Sequence, residues 1–325
     1  MNQLTLQILC RLKASDMFLS GGELCREFGM TRSAVWKHIS RLRKDGYAIE
    51  AVSGRGYRLS GSPGLPVPEE VAPLLTTERF GRNLVFHKEV DSTNMQAKVL
   101  ARQGAPEGSV LVADSQTGGR GRMGRAWVSP PGANLYFSII FRPPVPPVRL
   151  SQIPLLAAVA IHQALCTAVG RLPAMIKWPN DILIKGRKVC GILCEMEIEP
   201  DMTHFVVAGI GVNVNLKEIP AEIGQIATSL FLESGREQSR AGILSAILNH
   251  FEPLYDKWFE ADDLCELLPY LDRYAWLKDR EVIVDNFNGS LAGCVRGMSR
   301  TGELLLESED GTVHQVSSGE AHIRK

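Results

Sequence analysis

The chain has 325 residues, 45% hydrophobic and 22% charged, with Lys+Arg and Asp+Glu equal at 36 each. That length allows two or three domains, the composition is that of an ordinary globular protein, and the neutral balance by itself names no partner. The start of the chain lacks a signal-peptide pattern, and no uninterrupted apolar run of about 18 residues reads as a membrane span. The seven cysteines contain no CxxC pair and are odd in number, so reduced cytoplasmic thiols are expected rather than a disulfide framework or a zinc site.

Charge is unevenly distributed. Residues 1–60 carry ten basic and five acidic side chains, leaving 26 basic against 31 acidic in the rest. A basic head on an acidic body suggests that the head meets a polyanion. Its pattern predicts a helix over Gln3–Lys13, with Leu4, Ile8, Leu9 and Leu12 at helical spacing. A short helix follows, opened by a capping box at Ser20-Gly21-Gly22-Glu23 and broken at Gly29. Thr31 can cap a third helix, Arg32–Lys44, which repeats Val35, Ile39 and Leu42 on one face and stops at Gly46. Strands at Tyr47–Val52 and Tyr57–Ser60 flank Ser53-Gly54-Arg55-Gly56, completing a winged helix-turn-helix. The third helix would enter the major groove and offer Thr31, Arg32, Ser33, Trp36, Lys37 and Arg41, with Arg55 at the wing tip. A winged helix used only for protein contact is the alternative. Reading one half-site would give weak binding, so DNA binding predicts a dimer.

After a Gly/Pro-rich linker over 61–68, strands are expected at Asn83–Glu89, Ser109–Ser115, Leu135–Phe141, Met175–Trp178, Ile182–Ile184, Lys188–Glu197 and His204–Val212. Helices are expected at Asn94–Arg102, Gln152–Val169 and Ser239–Glu260, giving an α/β domain with a substantial sheet. Cys190 and Cys194 fit core packing in one of those strands. From about 273 to 325, short segments alternate with turns at Asn286-Phe287-Asn288-Gly289, Thr301-Gly302 and Asp310-Gly311, as in a small β-barrel.

The most unusual segment is Gly118-Gly119-Arg120-Gly121-Arg122-Met123-Gly124-Arg125-Ala126-Trp127. It contains GxGxxG by letter, but no helix starts inside it and no acid stands about 20 residues on, so the dinucleotide reading fails. A kinase glycine loop fails for want of HRD and DFG triplets, and an RGG-like segment is disfavoured by the flanking strands. Four glycines among arginines describe a loop that is mobile in water and ordered by an anionic ligand.

This segment resembles the GRGRxGRxW loop of biotin–protein ligases. Asp91-Ser92-Thr93-Asn94, Lys177-Trp178-Pro179-Asn180-Asp181, Lys188-Val189-Cys190-Gly191-Ile192-Leu193-Cys194-Glu195, Gly209-Ile210-Gly211-Val212-Asn213 and Gly319-Glu320 with Arg324 resemble that family in the same order. The head matches its bifunctional class. Met123 departs from the pattern, since some members place another arginine there. The resemblance implies an α/β multidomain fold: a winged helix-turn-helix at 1–63, a central α/β ligase domain at 64–272 resembling class II aminoacyl-tRNA synthetase cores, and a C-terminal SH3-like β-barrel at 273–325.

It further implies that biotin and ATP give biotinyl-5′-AMP, which acylates one lysine of a biotin carboxyl carrier protein domain and acts as corepressor on operator DNA. No tightly bound prosthetic group is implied. Lys188, Arg120 and Arg122 become the catalytic cations, and Ser92, Thr93, Asn94, Gln116, Gly119 and Gly191 join them as biotin-binding residues. Ser92 can equally cap the helix that follows it. Arg122, Arg125, Trp127, Asn180, Asp181, Asn213 and Arg324 are assigned to ATP. Asp181 is also the Mg²⁺ candidate, with a turn role as its alternative. A metabolite-sensing transcription factor without ligase activity, and a lipoate-type ligase, are the competing readings.

Overall fold

The computed structural model describes residues 2–324 apart from 171, 200, 201, 221, 222 and 288. The chain divides into two compact units, Met1–Leu65 and Pro66–Lys325, and the division falls inside the Gly/Pro-rich linker.

The first unit contains α1 (Gln3–Lys13), α2 (Gly21–Glu27), α3 (Arg32–Lys44) and an antiparallel hairpin of β1 (Ala48–Val52) and β2 (Gly56–Gly61). The capping box is present, with Ser20 Oγ accepting from Glu23 N–H at 3.0 Å and Glu23 Oε2 from Ser20 N–H at 3.3 Å. Thr31 caps α3 by accepting from Ala34 N–H at 3.3 Å. Ile8, Leu9, Leu12, Leu24, Val35, Ile39 and Leu42 make one small core. It is this apolar stripe on each short helix, more than propensity, that stabilises them.

The second unit opens with the short α4 (Pro68–Val71), then β3 (Leu84–Val90), α5 (Thr93–Arg102), β4 (Val110–Gln116) and β5 (Leu135–Phe141). Next come α6 (Ile153–Val169), β6 (Ala174–Lys177), β7 (Asp181–Ile184), β8 (Arg187–Glu199) and β9 (Met202–Val212). The helices α7 (Leu230–Ser234), α8 (Arg240–Ala261) and α9 (Leu268–Arg273) follow. Seven strands form one sheet in the order β3-β4-β5-β9-β8-β7-β6, antiparallel except for the parallel pair β3/β4.

Alternation along the central strands sorts the two faces. Leu135, Phe137, Ile139 and Phe141 of β5 and Val206, Ala208, Ile210 and Val212 of β9 point into the main core under α6 and α8. Ile140, Phe205 and Val207 point to the opposite face, beneath Ala97 and Ala101 of α5. The stretch Pro147–Val169 is long and apolar enough to cross a membrane, but eleven side chains of α6 are buried in this core, where the helix packs on α8.

The remaining strands, β10 (Glu281–Asn286), β11 (Gly289–Met298), β12 (Leu304–Glu307), β13 (Val313–Val316) and β14 (Glu320–Ile323), form a five-stranded antiparallel sheet in the order β13-β12-β11-β10-β14. Asn288, part of the turn expected at 286–289, lies outside the described residues. Val282, Val284, Leu304 and Leu306 belong to the same hydrophobic cluster as α6 and α8, so this sheet shares a core with the larger one.

Candidate functional site

The site forms on the α5 face of the large sheet, where α5 stops covering the strands. Its floor is set by an irregularity in β8. Ile182 pairs with Cys190 but Leu183 pairs with Lys188, so Val189 is an extra residue in the ladder. In an unbroken strand Lys188 and Gly191 would face opposite sides. The bulge brings them to one side, where the Lys188 side chain lies over Gly191 within about a van der Waals contact of where a Cβ would stand. Gly191 pairs with Asp181 on one neighbour and Gly211 on the other. These four positions line one surface.

Trp127 lies across that surface. A Cβ on Gly211 would stand 2.5 Å from its Cε2, and a Cβ on Gly191 would stand 2.9 Å from its Cζ3. Only glycine lets the indole lie so close to the sheet. Lys188 Nζ stands 5.3 Å from the centre of an indole ring and 2.6 Å from Asp181 Oδ1. The indole Nε1 is buried with no hydrogen-bond partner among the described residues. A cation, a carboxylate and an aromatic plate thus share one half-covered surface.

The glycine–arginine loop closes over it. Its two limbs pair at the base, Trp127 N–H donating to Gly119 O at 2.9 Å and Gly121 N–H to Arg125 O at 2.7 Å. Met123, at the tip, takes φ +55 and is exposed. In the structure the loop's arginines meet the chain's own acceptors. Arg122 donates to Gly319 O at 3.1 Å and to Asn180 Oδ1 at 3.4 Å. Arg125 pairs through both terminal nitrogens with Glu320, at 2.6 Å for the Nη1–Oε1 contact. Burial pulls the Arg122 guanidinium below the usual arginine value, with Asp181 and Glu320 opposing the shift and Arg125 adding to it. The hydrogen bond from Arg125 holds Glu320 below the ordinary carboxylate range. Arg120 is exposed, and no partner is placed on its guanidinium among the described residues.

At the other rim, Gln116 joins three elements. Its Oε1 accepts from Thr93 N–H at 2.8 Å and Thr93 Oγ1 at 3.2 Å, and its Nε2 donates to Ser129 Oγ at 3.0 Å. Ser92 occupies the cap position of α5, but its side chain makes no capping hydrogen bond. Its backbone N–H donates to Asp91 Oδ1 at 2.6 Å and its carbonyl accepts from Gln96 N–H at 3.1 Å, while its hydroxyl has no partner among the described residues. In the first unit, Arg32, Ser33, Trp36, Lys37 and Arg41 lie exposed along the outer face of α3, beside its capping residue Thr31. Arg55 stacks over Phe18 at 4.5 Å on the wing.

A model of the Biotin/lipoate A/B protein ligase family matches residues 87–215, and a model of an HTH domain matches residues 5–58. The bifunctional ligase/repressor BirA of Bacillus subtilis is 41% identical over 301 residues, covering 92% of each chain. The bifunctional ligase/repressor BirA of Escherichia coli is 30% identical over 322 residues, covering 97% of this chain and 96% of its own. The chain belongs to the bifunctional biotin–protein ligase family. Among solved structures, the biotin protein ligase from Aquifex aeolicus in complex with biotin and ATP matches with a TM-score of 0.65 at 34% identity, covering 75% of this chain and 99% of that one.

Within this ligase, several family-motif residues turn out to be engaged by the scaffold. Asn94 donates to Leu193 O at 3.1 Å and Glu195 Oε2 at 2.7 Å and accepts from Ser138 Oγ at 2.7 Å, so its amide pins α5 to the sheet. Asn213 donates to Thr228 O at 3.0 Å and accepts from Asn134 at 3.3 Å. Asn180 donates to Ile192 O at 2.7 Å, which holds the Pro179–Asp181 turn against β8. Arg324 pairs with Glu309 at 3.3 Å, and both side chains are more than half exposed.

Sequence reading missed a buried ion pair behind the site, on the main-core face of the sheet. Arg240 Nη1 meets Asp114 Oδ1 at 2.6 Å and Asn134 O at 3.1 Å, and Gly132 N–H donates to both Asp114 oxygens at 3.1 Å. Both charged side chains are less than a tenth exposed. The pair fixes the segment that follows Trp127. The available signal was the lone acid in the apolar run Val110–Ala113, because a buried carboxylate demands a partner.

Proposed function

We propose that the protein joins biotin to ATP as biotinyl-5′-AMP, transfers the biotinyl group to one lysine of a biotin carboxyl carrier protein domain, and represses biotin-synthesis genes as a DNA-binding homodimer. The observation that carries the ligase half is the surface formed by Lys188, Asp181, Gly191, Gly211 and Trp127 under the arginine loop. A carboxylate attacking a triphosphate brings two anions together, and this surface supplies cations around both.

In the first step a biotin carboxylate oxygen bonds to the α-phosphorus and pyrophosphate leaves. Lys188 offsets charge as it passes between the carboxylate and the phosphate, and Arg120 and Arg122 neutralise the phosphates from the loop. Gln116 and Thr93, with the Ser92 hydroxyl and the backbone of Gly119 and Gly191, present the paired donors and acceptors that a ureido ring needs. Trp127 offers a flat apolar face to the adenine. In the second step the carrier lysine's amine attacks the acyl carbonyl, and AMP leaves with the anhydride oxygen.

Among the described residues no group of three His, Cys, Asp or Glu side chains is placed to hold a metal ion. The donors at hand, the Asp181 carboxylate and the Asn180 amide oxygen, suit a Mg²⁺ whose other ligands are phosphates and water. Bound so, the ion would neutralise triphosphate charge. All seven cysteines are free thiols, which fits a cytoplasmic protein.

Repression is carried by the basic outer face of α3, and one sheet surface shared by the homodimer and the carrier complex would make the two exclusive. The test is purified protein with MgATP, labelled biotin or labelled lipoate, and a carrier domain. Label on one carrier lysine from biotin alone is expected, and labelling from lipoate or from neither overturns the reading.

A further inference from the structure

The outer face of α3 carries one side chain that phosphate neutralisation does not call for. Trp36 is 58% exposed, in the second turn of the helix, with Arg32 and Ser33 one turn before it and Ser40 one turn after. The core of the unit is complete without it, since Val35, Ile39 and Leu42 supply the buried stripe. Lys37 and Arg41 lie exposed on the same outer face. The indole is a broad apolar surface on an otherwise cationic face, and covering it with a partner would remove that area from water, a favourable transfer.

The chemistry of a DNA major groove says what could cover it. Only one base presents an apolar group there, the 5-methyl of thymine, and the groove also lines up N7, O6 and O4 acceptors. Lysine, arginine and serine can hydrogen-bond base edges or phosphates but have little apolar surface to set against a methyl. Trp36 combines a broad apolar ring with one Nε1–H donor, at the helix position from which a recognition helix reaches base edges. The wing is stiffened in support, with Arg55 and Arg58 stacked on one Phe18 ring at 4.5 and 4.8 Å.

We infer that Trp36 is a specificity-determining residue that reads the 5-methyl group of a thymine in each half-site. This rests on the DNA-binding reading above and goes beyond it by naming the base and the atom recognised. Arg32 and Lys37 then supply the charged contacts around it, to guanine or to phosphate.

The experiment selects duplexes from a random-sequence pool with the full-length protein, biotin and MgATP, using wild type, Trp36→Ala and Trp36→Phe. Wild type fixes a thymine in each half-site, and Trp36→Ala relaxes that position. Replacing the thymine by deoxyuridine weakens wild-type binding about fourfold per half-site, the worth of one buried methyl. The same replacement leaves Trp36→Ala unchanged and weakens Trp36→Phe by an intermediate factor. The slope of log Kd against log salt stays the same in Trp36→Ala, whereas Lys37→Ala lowers it by about one per half-site, or about two for the dimer. Thermal unfolding that matches wild type checks that the exposed site was altered without loss of fold. A wild-type protein insensitive to uracil, or equal sensitivity in Trp36→Ala, overturns this inference and leaves DNA binding standing. A wild-type protein that enriches no sequence overturns DNA binding and this inference together.

Discussion

Replacing Gly211 by alanine tests whether the surface under Trp127 works as described. The backbone there is an ordinary strand conformation, so alanine is not strained, and the unfolded chain loses entropy that favours folding by about 0.4–1 kcal/mol. The cost is steric. The new Cβ would stand 2.5, 2.6 and 2.7 Å from Trp127 Cε2, Nε1 and Cζ2, against about 3.5–4.0 Å for relaxed carbon contacts. The ring must rise by about 1 Å, which lifts it from Gly191 as well and alters its stacking with Lys188. Overpacking of this kind costs about 1–3 kcal/mol, or roughly 5- to 150-fold in whatever step uses the closed ring. The loss should appear in kcat/KM for ATP, read by pyrophosphate release, and in leakage of biotinyl-AMP. The melting temperature should change little, because the ring can leave its place without unfolding the sheet. Adding Trp127→Phe to Gly211→Ala should recover part of the activity, since the smaller ring clears the methyl. Wild-type kcat and KM in Gly211→Ala would refute the claim that Trp127 must lie on that glycine.

Three further outcomes are expected. Lys188→Ala should lose most adenylation, and because the side chain packs over Gly191 and Trp127 and pairs with Asp181, it should also lower the melting temperature without unfolding the sheet; wild-type pyrophosphate release would remove it from the mechanism. Glu320→Gln should loosen the loop, raising free biotinyl-AMP by no more than about fivefold, since Arg125 is 64% exposed and such pairs contribute at most about 1 kcal/mol. Arg125 lowers the Glu320 pKa, so the latch contributes fully above the ordinary carboxylate pKa and is lost as pH falls through the depressed folded value. Leakage that rises with acidity in wild type but not in Glu320→Gln is the signature, and identical pH profiles would dismiss the latch. Arg240→Met should destabilise the second unit by about 3–5 kcal/mol in thermal or urea unfolding, because it leaves the Asp114 charge buried without its cation. A cost below about 1 kcal/mol would show that the pair is not what fixes this segment.

The elements that local chemistry dictates were legible in the sequence. Ser20 and Glu23 at capping-box spacing, Thr31 before Arg32, and Val35, Ile39 and Leu42 at helical period each specify the structure they form. The central strands were legible for the same reason, because period-two apolar runs such as Leu135–Phe141 leave little freedom. Short elements without a strong period were not. The helices α4, α7 and α9 span four to six residues, and each has one buried side chain, Val71, Leu230 or Leu271, in the main core, too few to show a period.

The site separates two properties that a sequence motif presents as one. Asn94 and Asn213 stand in segments that identify the family, but their amides are engaged by Leu193, Glu195 and Ser138 in one case and by Thr228 and Asn134 in the other. These contacts position α5 and the end of β9. Lys188 shows the converse. Its residue type suggested a cation for the reaction, but strand periodicity alone would turn it away from Gly191. The extra residue at Val189 changes its side, and a register shift depends on how β7 pairs with β8 rather than on either strand alone. The same holds for the loop. Its glycines set how freely it can move, and its place in the structure rests on Gly319 and Glu320, almost 200 residues away, meeting Arg122 and Arg125. Composition sets how readily a segment can move, and the acceptors that folding brings to it decide where it rests.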